Sequence, residues 1–148
     1  MNPDFDAVFV QAKLFFMVER LEYLKKYYPS SVEELSQDFE KIKAVEKVIQ
    51  EVVDCAVDIN QYLVEAILKV AVRSNKDSFR KVQGLLARDD GHIKRLIDTV
   101  SFRNEILHSY DAGIRVVWKR RTVGYFFDIY RDYLEAVNYL LSSVAGGK

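Results

Sequence analysis

From Leu35 to Val70, apolar side chains return every three or four residues, and neither proline nor glycine interrupts them. Leu35, Phe39, Ile42, Val45, Ile49, Val52, Ala56, Ile59, Leu63, Ala66 and Val70 carry the rhythm. That spacing lays one stripe along a helix and does not fit the two-residue alternation of a half-buried strand. An unbroken rod of this kind would be roughly 50–60 Å long at 1.5 Å per residue. In a small domain it must kink or extend into a partner. It is expected to form the backbone of a bundle and part of a dimer interface.

The flanking segments repeat the pattern. Ala7, Val10, Leu14, Met17, Leu21, Leu24 and Tyr28 mark a first helix stopped by Pro29, and Ser31 with Glu34 reads as a capping box for the next. Ser74–Asp77 is a polar break before a short third helix with Phe79, Val82, Leu85 and Leu86. Asp89–Gly91 ends that helix and can cap a fourth, which carries Ile93, Leu96, Ile97 and Val100. Gly113 is a plausible terminator. A last helix, with irregularity expected near Gly124, includes Phe127, Tyr130, Leu134, Val137 and Leu141. Two prolines and six glycines leave little room for a many-turned β fold. The fold class predicted is all-α: an antiparallel up-and-down bundle of four or five helices, forming one domain over residues 1–148.

Charge narrows the function. Twenty-two basic residues balance twenty-two acidic ones, whereas a non-specific nucleic-acid coat carries a positive excess. Any nucleic acid must therefore be held by a local patch. Lys119, Arg120 and Arg121 form the densest basic run; they are either RNA-phosphate contacts or solvated surface. The single cysteine, Cys55, excludes an internal disulfide, suits a reducing compartment and is expected to be an inert buried thiol. No secretory signal is visible where Asp4 and Asp6 precede the apolar stripe of the first helix, and no apolar stretch is long enough for a bilayer, so the cytoplasm is the expected location.

Continuing the fourth helix from Val100 brings Arg103 and Asn104 onto positions where the stripe calls for core. Such groups need polar partners or a cleft open to water. Asn104 and His108 lie four residues apart, about 40° around the helix, while Arg103 and His108 are separated by about 140°. A swinging arginine, a loosened helix end or a two-fold partner could each bring a cation beside an imidazole. That pairing suits phosphodiester chemistry: guanidinium matches phosphate oxygens, and imidazole exchanges a proton near neutral pH. Asp54 and Asp58, four residues apart, either orient this pair across the cleft or form a solvated acidic face. His92 is roughly 24 Å of helix from His108, so the two do not make a metal site. Neither metal nor cofactor is expected.

The run Phe102-Arg103-Asn104-Glu105-Ile106-Leu107-His108-Ser109-Tyr110-Asp111 closely resembles the Arg-Asn-x-x-x-His-x-Tyr signature of HEPN toxins of the HepT group. The stretch Ala44–Leu63 looks like that family's long second helix, and Phe79–Leu86 followed by Ile93–Val100 has its order. The resemblance implies a homodimeric, metal-independent endoribonuclease toxin of a type VII-like toxin–antitoxin pair, leaving 2′,3′-cyclic phosphate. Arg103 and His108 would be the catalytic pair and Asn104 a polar member of their pocket. The partner would be a minimal, MntA-like nucleotidyltransferase antitoxin that adenylylates Tyr110. The rival readings are a non-catalytic helical dimer that binds a nucleotidyltransferase and assists nucleotide or substrate binding, and a purely structural bundle.

Overall fold

Asp6 starts the first helix: its carboxylate accepts from the Val8 and Phe9 amides, two donors that α1 (Ala7–Lys25) cannot satisfy internally. The computed structural model describes residues 5–108, 118, 119 and 121–146. Val10, Leu14, Met17, Leu21 and Leu24 form the buried stripe of α1, the rhythm read from the sequence.

The capping box forms as expected, with Ser31 Oγ accepting from the Glu34 amide and the Glu34 carboxylate accepting from the Ser31 amide, both at 3.0 Å. It opens only α2 (Val32–Ser36), however, and Leu35 belongs to that short helix. A second cap, Asp38, accepts from the Lys41 amide at 3.1 Å and begins α3 (Phe39–Leu63). At 25 residues α3 spans about 37 Å, shorter than the unbroken rod. One wide turn, Val64–Leu68, follows, and Lys69 then takes a left-handed backbone (φ 60°) that stops propagation. Ala66 and Val70 therefore drop out of the α3 stripe.

Ser74 caps α4 (Asn75–Leu86), which ends at Ala87 in a left-handed conformation. The Asp89 carboxylate accepts from the His92 amide at 2.9 Å at the start of α5 (Asp90–His108). The last helix, α6, runs over Val123–Gly146 and is regular through Gly124, contrary to the irregularity expected there. The glycine serves a close approach: a Cβ at position 124 would lie 3.2 Å from the Tyr28 ring. Gly113 lies outside the described residues.

Among the described residues there are six helices, five of them long, and no strand. Central α3 packs against α1, α4 and α5, while α6 lies on α1, α4 and α5. Polar groups in the core are paired. The Tyr133 hydroxyl donates to Asn60 Oδ1 at 2.6 Å, and Asn60 Nδ2 donates to Ser78 Oγ at 3.2 Å, joining α6, α3 and α4. Phe102 of α5 is fully buried between Trp118 and Phe126, with ring centroids 4.9 and 4.6 Å away. No described helix is long and apolar enough to cross a membrane.

Candidate functional site

With Phe102 locked in the core, the next two residues of α5 must emerge beside it, because successive helical positions turn by about 100°. Arg103 emerges toward α3. Its Nε donates to Asp54 Oδ1 at 2.6 Å, and its Nη1 donates to Asn104 Oδ1 at 3.3 Å. The guanidinium is partly buried, whereas the Asp54 side chain is 48% exposed, so the pair sits at a rim rather than in the interior. Two of five guanidinium N–H groups are used; the remaining three meet no partner among the described residues. Arg103 is thus a held cation with donors that the described residues leave unengaged.

His108 is the last residue of α5 and is exposed, as its neighbour Leu107 is. No hydrogen bond or ion pair engages its ring among the described residues. Asn104, one turn earlier, is half-buried, and its side-chain oxygen is engaged by Arg103. Arg103 is turned against α3 while His108 faces solvent, in keeping with their 140° separation. Tyr110 lies outside the described residues.

Of the two aspartates, only Asp54 reaches the motif. Asp58 instead pairs with Lys13 of α1 at 2.9 Å. Both line a groove of about 380 Å³ between α1 and α3, with Phe9, Phe16, Glu51 and Cys55. The Cys55 thiol donates to the Lys13 carbonyl at 3.2 Å, and burial pushes its pKa up to about 11. It is therefore a protonated, weakly nucleophilic group at neutral pH.

Of the basic run Lys119–Arg121, the structure describes Lys119 and Arg121. Arg121 turns inward: its Nη2 and Nε donate to the Asp98 carboxylate at 2.7 and 2.8 Å, and Glu105 lies 3.7 Å from Nη1. Its side chain is only 10% exposed. Tyr125 also donates to Asp98, at 2.7 Å. The Arg121 guanidinium holds the Asp98 carboxyl below the usual carboxylate range, against an opposing effect of burial. Lys119 lies 3.6 Å from Glu105, and Arg120 is outside the described residues. Arg121, with Tyr125 of α6, therefore fastens this segment to the motif helix through Asp98.

Two residues of this neighbourhood escaped the sequence reading. Glu46 of α3 is 3% exposed and accepts from the Trp118 indole N–H at 2.9 Å. That bond pins Trp118, ten residues beyond His108, against the core. The available signal was a carboxylate inside the α3 stripe, between Val45 and Ile49. His92 pairs with Asp89 at 2.7 Å, away from the motif. Among the described residues no three His, Cys, Asp or Glu side chains are grouped as metal ligands. Chemically, the site offers an oriented guanidinium for an anion and an accessible imidazole for a proton.

Comparison with known proteins adds three findings. A family model described as "Ribonuclease HepT-like" matches residues 17–118. A curated relative, the "tRNA nuclease HepT" of Aphanizomenon flos-aquae (strain 2012/KM1/D3), is 22% identical over 106 residues, covering 72% of each chain. Among solved structures, a mutant toxin-antitoxin MntA-HpeT complex matches with a TM-score of 0.74 at 16% identity, over 88% of this chain and 97% of that one. A tri-AMPylated Shewanella oneidensis HEPN toxin in complex with MNT antitoxin matches with a TM-score of 0.74 at 16% identity, over 88% of this chain and 96% of its own. At such identity the structural matches establish the shared fold.

Proposed function

The chain belongs to the HepT-like ribonuclease family, and on that premise we propose that it is a metal-independent endoribonuclease toxin acting through Arg103 and His108. The observation that carries the reading is the 2.6 Å bond from Arg103 to Asp54, which orients a guanidinium inside the family-matched region, with donors that the described residues leave unengaged. RNA is the substrate class, and tRNA is the first member to test because the curated relative is a tRNA nuclease.

The chemistry follows from the two side chains. His108 accepts the proton of the ribose 2′-hydroxyl, the oxygen attacks the adjacent phosphorus, and the imidazolium returns the proton to the departing 5′ oxygen. A 2′,3′-cyclic phosphate remains. Arg103 stabilises the charge that grows on the non-bridging oxygens. Asn104 holds the guanidinium in register through its side-chain oxygen. The 2′-hydroxyl is itself the nucleophile, so this route needs no ion to generate one.

The working unit is a homodimer, with the cleft where two copies of the C-terminal half of α5 approach each other. The antitoxin is a minimal nucleotidyltransferase, a partner supported by the fold shared with toxins solved beside such antitoxins. It transfers AMP from ATP to the Tyr110 hydroxyl, releasing pyrophosphate. Modified Tyr110, two residues from His108, blocks the cleft by bulk and added negative charge.

The test is incubation of the purified protein with tRNA, with and without EDTA, followed by end-group analysis. Cleavage should persist in EDTA and leave 2′,3′-cyclic ends. His108→Ala should lower the rate about 10²–10⁴-fold while helical content and oligomeric state are retained. Unchanged cleavage or toxicity in that variant would remove His108 from the mechanism.

A further inference from the structure

A second groove, of about 450 Å³, lies between α3 and α5 and is lined by Phe39, Lys43, Lys47, Gln50, Ile106 and Leu107, with Glu46 in its wall. Leu107, in its lining, is the residue before His108. Lys43, Lys47, Gln50 and Asp54 occupy successive turns of one face of α3, and Asp54 is the residue that holds Arg103. The groove is therefore continuous with the candidate site along α3. Its far end is marked by Phe39, an aromatic ring that is 67% exposed and lies 5.6 Å from the Lys43 ammonium.

Charge along α3 is polarised. Lys41, Lys43 and Lys47 outnumber Glu40 and Glu46 on the half toward Phe39, whereas the other half carries Glu51, Asp54 and Asp58 and no cation of its own. Phosphates leaving the Arg103 site are repelled in the second direction and attracted in the first. A neutral chain must hold RNA by a local patch, and Arg121, from the expected patch, is committed to Asp98. Lys43 shares its charge with Glu46 at 3.2 Å. Lys47, one turn on, is exposed and has no ion-pair partner among the described residues. A basic groove that tracks a backbone, with an aromatic platform for an unstacked base, is how non-sequence-specific single strands are held.

We propose that single-stranded RNA flanking the scissile phosphate runs through the α3–α5 groove, its phosphates on Lys43 and Lys47 and a base stacked on Phe39. This rests on the ribonuclease reading above. The path predicts a substrate that is locally unpaired, since the stacking ring can reach only a base that is splayed out of a helix.

The experiment uses the full chain and an uncleavable, 2′-O-methylated oligoribonucleotide of about a dozen nucleotides, titrated over a range of potassium chloride. For Lys43→Ala with Lys47→Ala, affinity should fall about ten-fold. The slope of log affinity against log salt should flatten by about 1.4, two phosphate contacts' worth for a single strand. Lys47→Ala alone should flatten it by about 0.7, and keeps the Lys43–Glu46 pair in case its loss disturbs Trp118. Phe39→Ala should weaken binding about 5–20-fold with the slope unchanged, because stacking releases no counterions. If the wild-type chain cleaves RNA but the lysine variants keep both affinity and slope, the path is wrong and the ribonuclease reading stands. Dissociation into monomers on Phe39→Ala, with RNA affinity per active chain retained, would overturn the path and give the groove to a second copy. A wild-type chain that neither binds nor cleaves RNA would sink both.

Discussion

In the proposed mechanism the chemistry depends on how firmly one guanidinium is held, and Asp54 is the residue that bonds it at 2.6 Å. A 48% exposed carboxylate contributes little to folding even when its geometry is good, so its worth should be read in the reaction rather than in stability. Among the described residues, Asp54→Ala leaves Arg103 tethered through Asn104 alone, at 3.3 Å. The expected outcome is a fall in kcat of about 10–100-fold, with melting within about 1 kcal/mol of wild type. Asp54→Asn, which keeps an oxygen that can accept from Nε, should recover part of the loss. Steady-state cleavage of one RNA by the three proteins, beside thermal melts, decides it. A large drop in melting temperature with unchanged kcat would make the aspartate structural only. The role of position 54 was visible in the sequence as one of two possibilities. Choosing between Asp54 and Asp58 needed the third dimension, because only the packing of α1 gives Asp58 its own cation, Lys13.

At the scale of helices, what local chemistry writes was readable, and what distant contacts decide was not. The stripes of α1, α4, α5 and α6 were plain, as was the Ser31–Glu34 box, since each depends on residues within a turn or two. The start of α3 was misplaced because Asp38 supplies a second cap only a few residues downstream of the first. Its end was missed for a different reason. Val64–Leu68 contains only tolerable helix formers, and the chain leaves the helix where Lys81 of α4 donates to the Ala71 carbonyl at 2.7 Å and Asp77 accepts from the Arg73 amide at 2.9 Å. Arg121 likewise looked like a surface cation until α5 and α6 were seen to enclose it. That enclosure makes a prediction about pH. Asp98 is faced by Arg121, Lys119, Glu105 and Tyr125, and its folded-state pKa is lowered chiefly by Arg121. A lowered folded pKa stabilises the protein above the unfolded value near 3.9, and that contribution fades as pH falls through the folded one. Asp98→Asn should therefore melt about 3–8 °C below wild type at pH 7, with the gap closing below about pH 4. Equal gaps at pH 7 and pH 3 would show that the charge of Asp98 does not stabilise the fold.

For the whole molecule, the decisive matter is whether one chain can complete the site. Within a chain, Arg103 is drawn onto α3 by Asp54, while His108 lies five residues on, about 140° around the same helix, at its exposed end. Tethering Arg103 removes the swing that would bring it round to its own imidazole. In the proposed homodimer, a two-fold axis beside the end of α5 would resolve this, because each His108 would meet the partner's arginine and two equivalent sites would arise. The prediction is quantitative. Arg103→Ala and His108→Ala are each inactive, but a heterodimer of the two places both defects in one site and leaves the other intact. If subunits exchange freely, half of the dimers are mixed and half of their sites work, so an equimolar mixture should recover about a quarter of wild-type cleavage. Sites completed within one chain would instead leave the mixture inactive, since each chain lacks one member of its own pair. Co-expression with two affinity tags, purification through both and a cleavage assay measures the recovery directly. A dead heterodimer would require Arg103 to release Asp54 during the reaction, and Asp54→Ala would then raise the rate rather than lower it.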